Sequence, residues 1–278
     1  MAELLKIENI KQHFVSGKRL FNQGYVIKAV DGVSFSLQQG ETLGLVGESG
    51  CGKSTLGRTI LKLLEPTEGH IYFEGQDITD LSPKKMAVLR REMQIVFQDP
   101  MESLNPRHNI GMIVQEPFDI HGIGTQAQRQ QWVKELLVKV GLPENVVSRY
   151  PHEFSGGQRQ RIGIARAIAL KPKLLICDES VSALDVSVQA QILNLLLDLQ
   201  QEMNLAMIFI SHDLSVVRHV SDTVAVMYFG KIVEMKDAVS LYANPEHEYT
   251  RTLLSAIPIS HPKNRKKRRA AQLAVSEI

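Results

Sequence analysis

The sequence predicts an α/β protein built around a parallel sheet. Three observations carry that prediction. Short apolar runs alternate with segments of helical spacing, a glycine loop stands between one such run and a helix, and a pair of acids closes another run. At 278 residues, 44% hydrophobic and 22% charged, the chain has apolar material for one large domain or two small ones. Its net charge of +2 provides no global field to draw it onto nucleic acid or a membrane. No run reaches the roughly 18 uncharged apolar residues of a membrane span, and Met1 to Asn9 lacks the basic-then-apolar layout of a signal peptide, so a cytoplasmic location is expected. Cys51 and Cys177 form neither a disulfide framework nor a metal-binding spacing.

Taken in order, Leu4 to Ile10 and Val33 to Leu37 alternate polar and apolar residues as half-buried strands do, and Gln38-Gln39-Gly40 reads as a turn. Thr42 to Val46 is a short apolar strand. It runs into "GESGCGKST" and then a helical stretch, "LGRTILKLLEP", closed by Pro66. From Asp99 to Arg149 the apolar spacing is helical, broken at Asn105-Pro106 and at Gly122 to Gly124, which predicts a helical insertion. After "SGGQ", a helix continues through Ile162 to Leu170 and stops before Pro172. Lys173 then opens the strand "LLICD". Val188, Ile192, Leu195, Leu196 and Leu199 recur at helical spacing before the strand Leu205 to Ile210. Thr223 to Phe229, Gly230 and Lys231 to Met235 read as a hairpin. Asn244 to Pro258 reads as a proline-containing tail, followed by the basic run "KNRKKRRA". Such a run is expected to be a solvated tail, with attraction to anionic lipid as its alternative use.

Gly47-Glu48-Ser49-Gly50-Cys51-Gly52-Lys53-Ser54, followed by Thr55, fits G-x-x-x-x-G-K-[ST] at every fixed position, between a strand and a helix. Glycines let the backbone fold so that successive N–H groups face a phosphate. Lys53 is expected to reach the β- and γ-phosphates and the Ser54 hydroxyl to bind Mg²⁺. Asp178 and Glu179 end a buried strand, where open α/β sheets hold their ligands. Asp178 is expected to orient Mg²⁺ and Glu179 to activate the attacking water as a general base. A second glycine run, "FSGGQRQR" from Phe154 to Arg161, is a helix start with bare N–H groups and is therefore a further anion site.

With the phosphate loop, Gln98 in "VFQDP", "FSGGQ", "CDE", "SALD" and His212 in "ISHD" in this order, the chain resembles an ATP-binding cassette (ABC) ATPase subunit over nearly all of residues 4 to 258. The resemblance implies a P-loop NTPase cassette with a RecA-like parallel-sheet core, an antiparallel β subdomain and a helical subdomain at about 99–160, together spanning residues 1–235. It also implies that two cassettes close head to tail over two ATP molecules. Ser155, Gly156, Gly157 and Gln158 then serve the partner's nucleotide, and Asp185 supports the contact between cassettes. Phe14, with Tyr25 as rival, is expected to stack on adenine. Gln98 is expected to contact Mg²⁺ and the attacking water, and His212 the γ-phosphate. Phe154 replaces the usual leucine of the signature, and Ser180 and Val181 replace the common proline and threonine after the acids, without removing a catalytic group.

"KAVDGVSFSL", "QDPMESLNPR", "SVSALDVSVQAQILNLL" and "GKIVEMKDAVSLYANPEHEYTRTLLSAIP" resemble the ATP-binding subunits of bacterial oligopeptide and dipeptide importers and their nickel-importing relatives. Glu248 stands where that family commonly has proline. The resemblance implies an importer-type C-terminal extension at 236–260, a basic tail at 261–278 and a position on the cytoplasmic face of the inner membrane. The implied partners are a second ABC ATPase subunit, either a different chain or a second copy, two transmembrane permease subunits docked near Asp99 to Arg107, and indirectly an extracytoplasmic substrate-binding protein, with no nucleic acid. A nickel or other small-solute importer, or a non-transport cassette in DNA repair or translation, is the alternative reading. Cys51, beside Lys53 at a helix N-terminus, is expected to have a lowered thiol pKa, so that alkylation blocks ATPase activity and Mg-ATP protects.

Overall fold

A computed structural model describes residues 3–16, 25–99 and 103–256. Strands β1 (Glu3–Ser16) and β2 (Tyr25–Gln38) precede β3 (Thr42–Val46) and helix α1 (Lys53–Ile60). Next come β4 (Glu68–Phe73), β5 (Gln76–Asp77), α2 (Pro83–Leu89) and β6 (Met93–Val96). Helices α3 (Ile110–Ile120) and α4 (Gln126–Lys139), then two 3-10 turns, lead to α5 (Gly156–Ile168). The chain continues through β7 (Leu174–Asp178), α6 (Val186–Met203), β8 (Ala206–Ser211) and α7 (Leu214–Val220). It ends in β9 (Thr223–Tyr228), β10 (Lys231–Asp237), α8 (Ala238–Ala243) and α9 (Glu248–Ser255).

Among the described residues the strands form two sheets: an antiparallel one ordered β2-β1-β4-β5, and a six-stranded one ordered β10-β9-β3-β8-β7-β6. The second is parallel from β9 to β6, with β10 antiparallel at its edge. β3, β7 and β8 are buried at every residue, as strands covered on both faces must be. Their side chains divide by the two-residue period of a strand. Leu174, Ile176, Ile208 and Ile210 join Leu56 and Ile60 of α1 and the apolar face of the antiparallel sheet. Leu175, Cys177, Met207 and Phe209 join the other core, with Ile164 and Ile168 of α5 and Ile192 and Leu196 of α6. The central sheet is thus the shared wall of two hydrophobic layers. Ile113, Val114 and Phe118 of α3 and Val133 and Leu137 of α4 extend the second layer into the helical insertion. Each of these helices has a side-chain cap: Asn109 accepts from Met112 N–H at 2.8 Å, and Thr125 forms a capping box with Gln128.

Two elements differ from the sequence reading. Helix α1 starts at Lys53 and ends at Ile60 rather than running from Leu56 to Pro66. Lys62 takes the left-handed conformation (φ 53°), and its buried ammonium is held by Glu65 and by the carbonyl of Thr79. The stretch read as a tail from Asn244 instead contains α9, which packs Tyr249, Leu253 and Leu254 against the core. β4, β5, β6, α2 and α7 carried no expectation. The basic run and the rest of 257–278 lie outside the described residues, as do Pro100, Met101 and Glu102 within the expected permease-docking segment.

Candidate nucleotide site

The phosphate loop leaves β3 at Val46 and enters α1 at Lys53. Two glycines are required by space as well as by conformation. A Cβ at Gly52 (φ 109°) would stand 2.0 Å from the carbonyl oxygen of Ala29, and one at Gly47 would stand 2.2 Å from that of Met227. Glu48, Ser49 and Gly50 form the exposed crest. Lys53 is buried, and its ammonium donates to the carbonyls of Gly47 at 2.8 Å and Glu48 at 2.9 Å. Gly52 caps α1 without a side chain and there is no acid in the first turn. The first N–H groups of α1, up to Ser54 and Thr55, therefore present an uncompensated positive end.

Cys51 requires a correction. Its thiol is 8% exposed and lies in the core beneath the antiparallel sheet, and burial pushes its pKa up, outweighing the nearby Lys53. The expected reactive thiolate is not supported, and what Cys51 offers the loop is its backbone.

The order β3-β8-β7-β6 brings the C-terminal ends of four neighbouring parallel strands to one edge of the sheet. Beyond these ends lie, respectively, the phosphate loop, His212, the Asp178-Glu179 pair and Gln98. The Ser54 hydroxyl donates to Asp178 Oδ1 at 2.6 Å. Asp178 is buried, and burial raises its pKa against the opposing pull of the Ser54 hydrogen bond and of Arg58. Glu179 has left-handed backbone (φ 47°), an uncommon conformation for a side-chain-bearing residue. Its N–H is tied to Ile210 O at 3.0 Å, and its carbonyl accepts from the Ser182 hydroxyl at 2.9 Å. These ties turn the carboxylate towards two other expected residues: Gln98 Nε2 donates to Oε2 at 3.2 Å, and His212 Nδ1 lies 3.4 Å from the same oxygen.

The second glycine run begins α5. Ser155 is its N-cap: the Gln158 N–H donates to the Ser155 hydroxyl oxygen, and the Ser155 N–H donates to Gln158 Oε1 at 3.0 Å. Ser155, Gly156 and Gln158 are exposed, whereas Gly157 is buried where a Cβ would stand 2.2 Å from Val188 Cγ1 of α6. Asp185 occupies the N-cap position of α6 but makes no side-chain capping bond, unlike an ordinary cap acid. Lys53, Ser54, Asp178, Glu179, Gln98 and His212 therefore converge, while Ser155 and Gln158 bond to each other and, with Gly156, are exposed. Phe14 lies on β1 opposite Ile27 and is 39% exposed; Tyr25 is 64% exposed. By the strand period Phe14, Ile27 and Tyr25 share one face of the β1-β2 pair and Val15 and Val26 the other, all exposed, and this part of β2 leads to the Ala29 carbonyl abutting the loop.

Sequence reasoning missed one group that touches the loop. The Tyr249 hydroxyl of α9 accepts the Glu48 N–H at 3.1 Å. The only available signal was the helical spacing of Tyr249 with Leu253, hidden by the proline and the polar residues before it.

A family model described as ABC transporter matches residues 30–182. The chain is 55% identical over 267 residues to the oligopeptide transport ATP-binding protein AppF of Bacillus subtilis (strain 168), a match that covers 95% of this chain and 81% of that protein. It is 53% identical over 262 residues to OppF, also named an oligopeptide transport ATP-binding protein, of the same strain, covering 94% and 84%. Among solved structures, the dimeric post-hydrolysis ATP-binding cassette MJ0796 bound to ADP and Pi superposes with a TM-score of 0.74 at 27% identity, covering 84% of this chain and 99% of that one. CbiO1 of Clostridium perfringens, part of the transporter complex cbiONQ, gives 0.75 at 28% identity, covering 93% and 97%.

Proposed function

Because the chain belongs to the ABC transporter family and is an ATP hydrolase of the cassette type, we propose that it powers peptide import through membrane-spanning partners. The peptide class follows from the relatives' names, which specify oligopeptides. The observation that most supports the catalytic part is the convergence on Glu179 Oε2 of Gln98 and His212, next to a buried Asp178 bonded to Ser54.

Lys53 and the N–H groups of the loop and of α1 bind the phosphates, with Thr55 in the first turn. Glu179 takes a proton from the attacking water, a role worth roughly 10² to 10⁴ in rate. Gln98 and His212 hold that carboxylate in place, and His212 meets the γ-phosphate. Phe14 stacks on adenine. Ser54, Asp178 and Gln98 fit a divalent cation: a hydroxyl, a buried carboxylate whose burial outweighs the pull of Ser54 and Arg58, and an amide oxygen, all hard donors. Held there, Mg²⁺ would supply neutralisation of the charge on the phosphate oxygens. Ser155, Gly156, Gly157 and Gln158, of which Ser155, Gly156 and Gln158 are exposed, complete the site of a second cassette, either a different subunit or another copy, and Asp185 supports that contact. Two transmembrane permease subunits dock near Asp99 to Arg107, a substrate-binding protein delivers cargo outside, and the subunit works at the cytoplasmic face of the inner membrane.

The test is uptake of a radiolabelled oligopeptide by cells in which the wild-type gene is replaced by Glu179→Gln. We expect uptake to collapse while nickel uptake stays unchanged. Unaltered peptide uptake, or loss confined to nickel, would contradict the assignment.

A further inference from the structure

The phosphate loop is braced from outside the nucleotide machinery. Glu48 is held on both sides: its carbonyl accepts from Lys53 at 2.9 Å, and its N–H donates to the hydroxyl of Tyr249, 201 residues away, at 3.1 Å. That N–H is occupied by Tyr249, so it orients the loop rather than adding to the donors open to a phosphate. The Tyr249 ring packs on Tyr228, with ring centroids 4.0 Å apart, and the turn after Tyr228 supports the loop again, since Gly230 N–H donates to the Cys51 carbonyl at 3.0 Å.

The position of Tyr249 is itself fixed by one acid. Glu234 of β10 is 8% exposed and accepts the N–H groups of Glu246 at 2.8 Å and His247 at 2.9 Å. His247 in turn caps α9, its Nδ1 accepting from the Tyr249 N–H at 3.1 Å. A continuous set of hydrogen bonds therefore runs from the edge strand β10, through the first turn of α9, to the crest of the phosphate loop.

We propose that Tyr249 is a positioning residue for nucleotide binding, and that the seating of α9 on Glu234 sets nucleotide affinity through it. This rests on the reading of the loop as an ATP site. A loop held in its binding geometry before the nucleotide arrives does not have to be ordered on binding. The C-terminal segment thereby gains a handle on the site without contacting the nucleotide.

Calorimetric titration of the full 278-residue chain with Mg-ADP, which avoids turnover, tests it. Tyr249→Phe keeps the ring packing and removes only the hydroxyl, and should weaken binding about three- to tenfold, the usual range for one lost hydrogen bond. In protein labelled with ¹⁵N-glutamate, the Glu48 amide proton should move upfield in the same variant, a change that general loosening would not confine to one residue. Glu234→Gln should weaken binding in the same direction, and the double variant should be no weaker than the weaker single variant. Unchanged affinity or an unmoved Glu48 amide in Tyr249→Phe overturns the positioning role. Fully additive losses overturn the route through Glu234. If the unmodified chain binds no Mg-ADP, the ATP-site reading fails and this inference fails with it.

Discussion

At the scale of single residues, the site is a set of backbone constraints that aim a few side chains. Glu179 keeps a left-handed backbone because Ile210 O and the Ser182 hydroxyl hold it there, and its carboxylate consequently meets Gln98 and His212. Gly157 is fixed for a different reason: helix α5 can approach α6 only where no Cβ meets Val188. Gly157→Ala should destabilise the chain by about 1–3 kcal/mol, read as a lower urea midpoint, while leaving Mg-ADP binding at the chain's own loop intact. The loop glycines, Lys53, Ser54 and the two acids were legible in sequence because their spacing is local. The ring environment of Tyr249 was not, because the partner of its hydroxyl is 201 residues away.

At the scale of elements, legibility followed the source of each element's stability. β3, β7 and β8 announce themselves as uninterrupted apolar runs, and α6 through its helical period, since each buries a pattern that can be read in a short window. β6 is four residues long and gains its identity only by pairing with β7. The early end of α1 depends on Lys62 reaching the Thr79 carbonyl 17 residues on, and α9 depends on Glu234, partners that lie outside each helix's own stretch. Burial alone would raise the Glu234 carboxyl. The Thr250 hydroxyl beside it, the two N–H groups at the start of α9 and Lys236 instead hold it down at about 2. A depressed carboxyl contributes its full stabilisation above its ordinary value of 4.5 and loses it as the pH falls towards the folded-state value. Between about pH 5 and pH 2, unfolding free energy should therefore fall more steeply for the wild type than for Glu234→Gln, measured by urea denaturation at each pH. Parallel curves would remove Glu234 as the anchor of α9.

At the scale of the whole molecule, one sheet does two jobs. Its alternating side chains bind a helical layer on one face and α1 with the antiparallel sheet on the other, so that its C-terminal edge is rigid where the chemistry gathers. The start of α5, exposed at Ser155, Gly156 and Gln158, is free of the converging side chains and is the part that we propose serves a second cassette. The central claim is that Lys53 and the loop bind the nucleotide while Glu179 performs the proton transfer. The direct test is phosphate release from Mg-ATP by the transporter assembled with wild-type chain or with Glu179→Gln, alongside nucleotide retention. The account predicts that Glu179→Gln retains Mg-ATP while phosphate release falls by roughly 10² to 10⁴. Phosphate release at the wild-type rate by Glu179→Gln would contradict it.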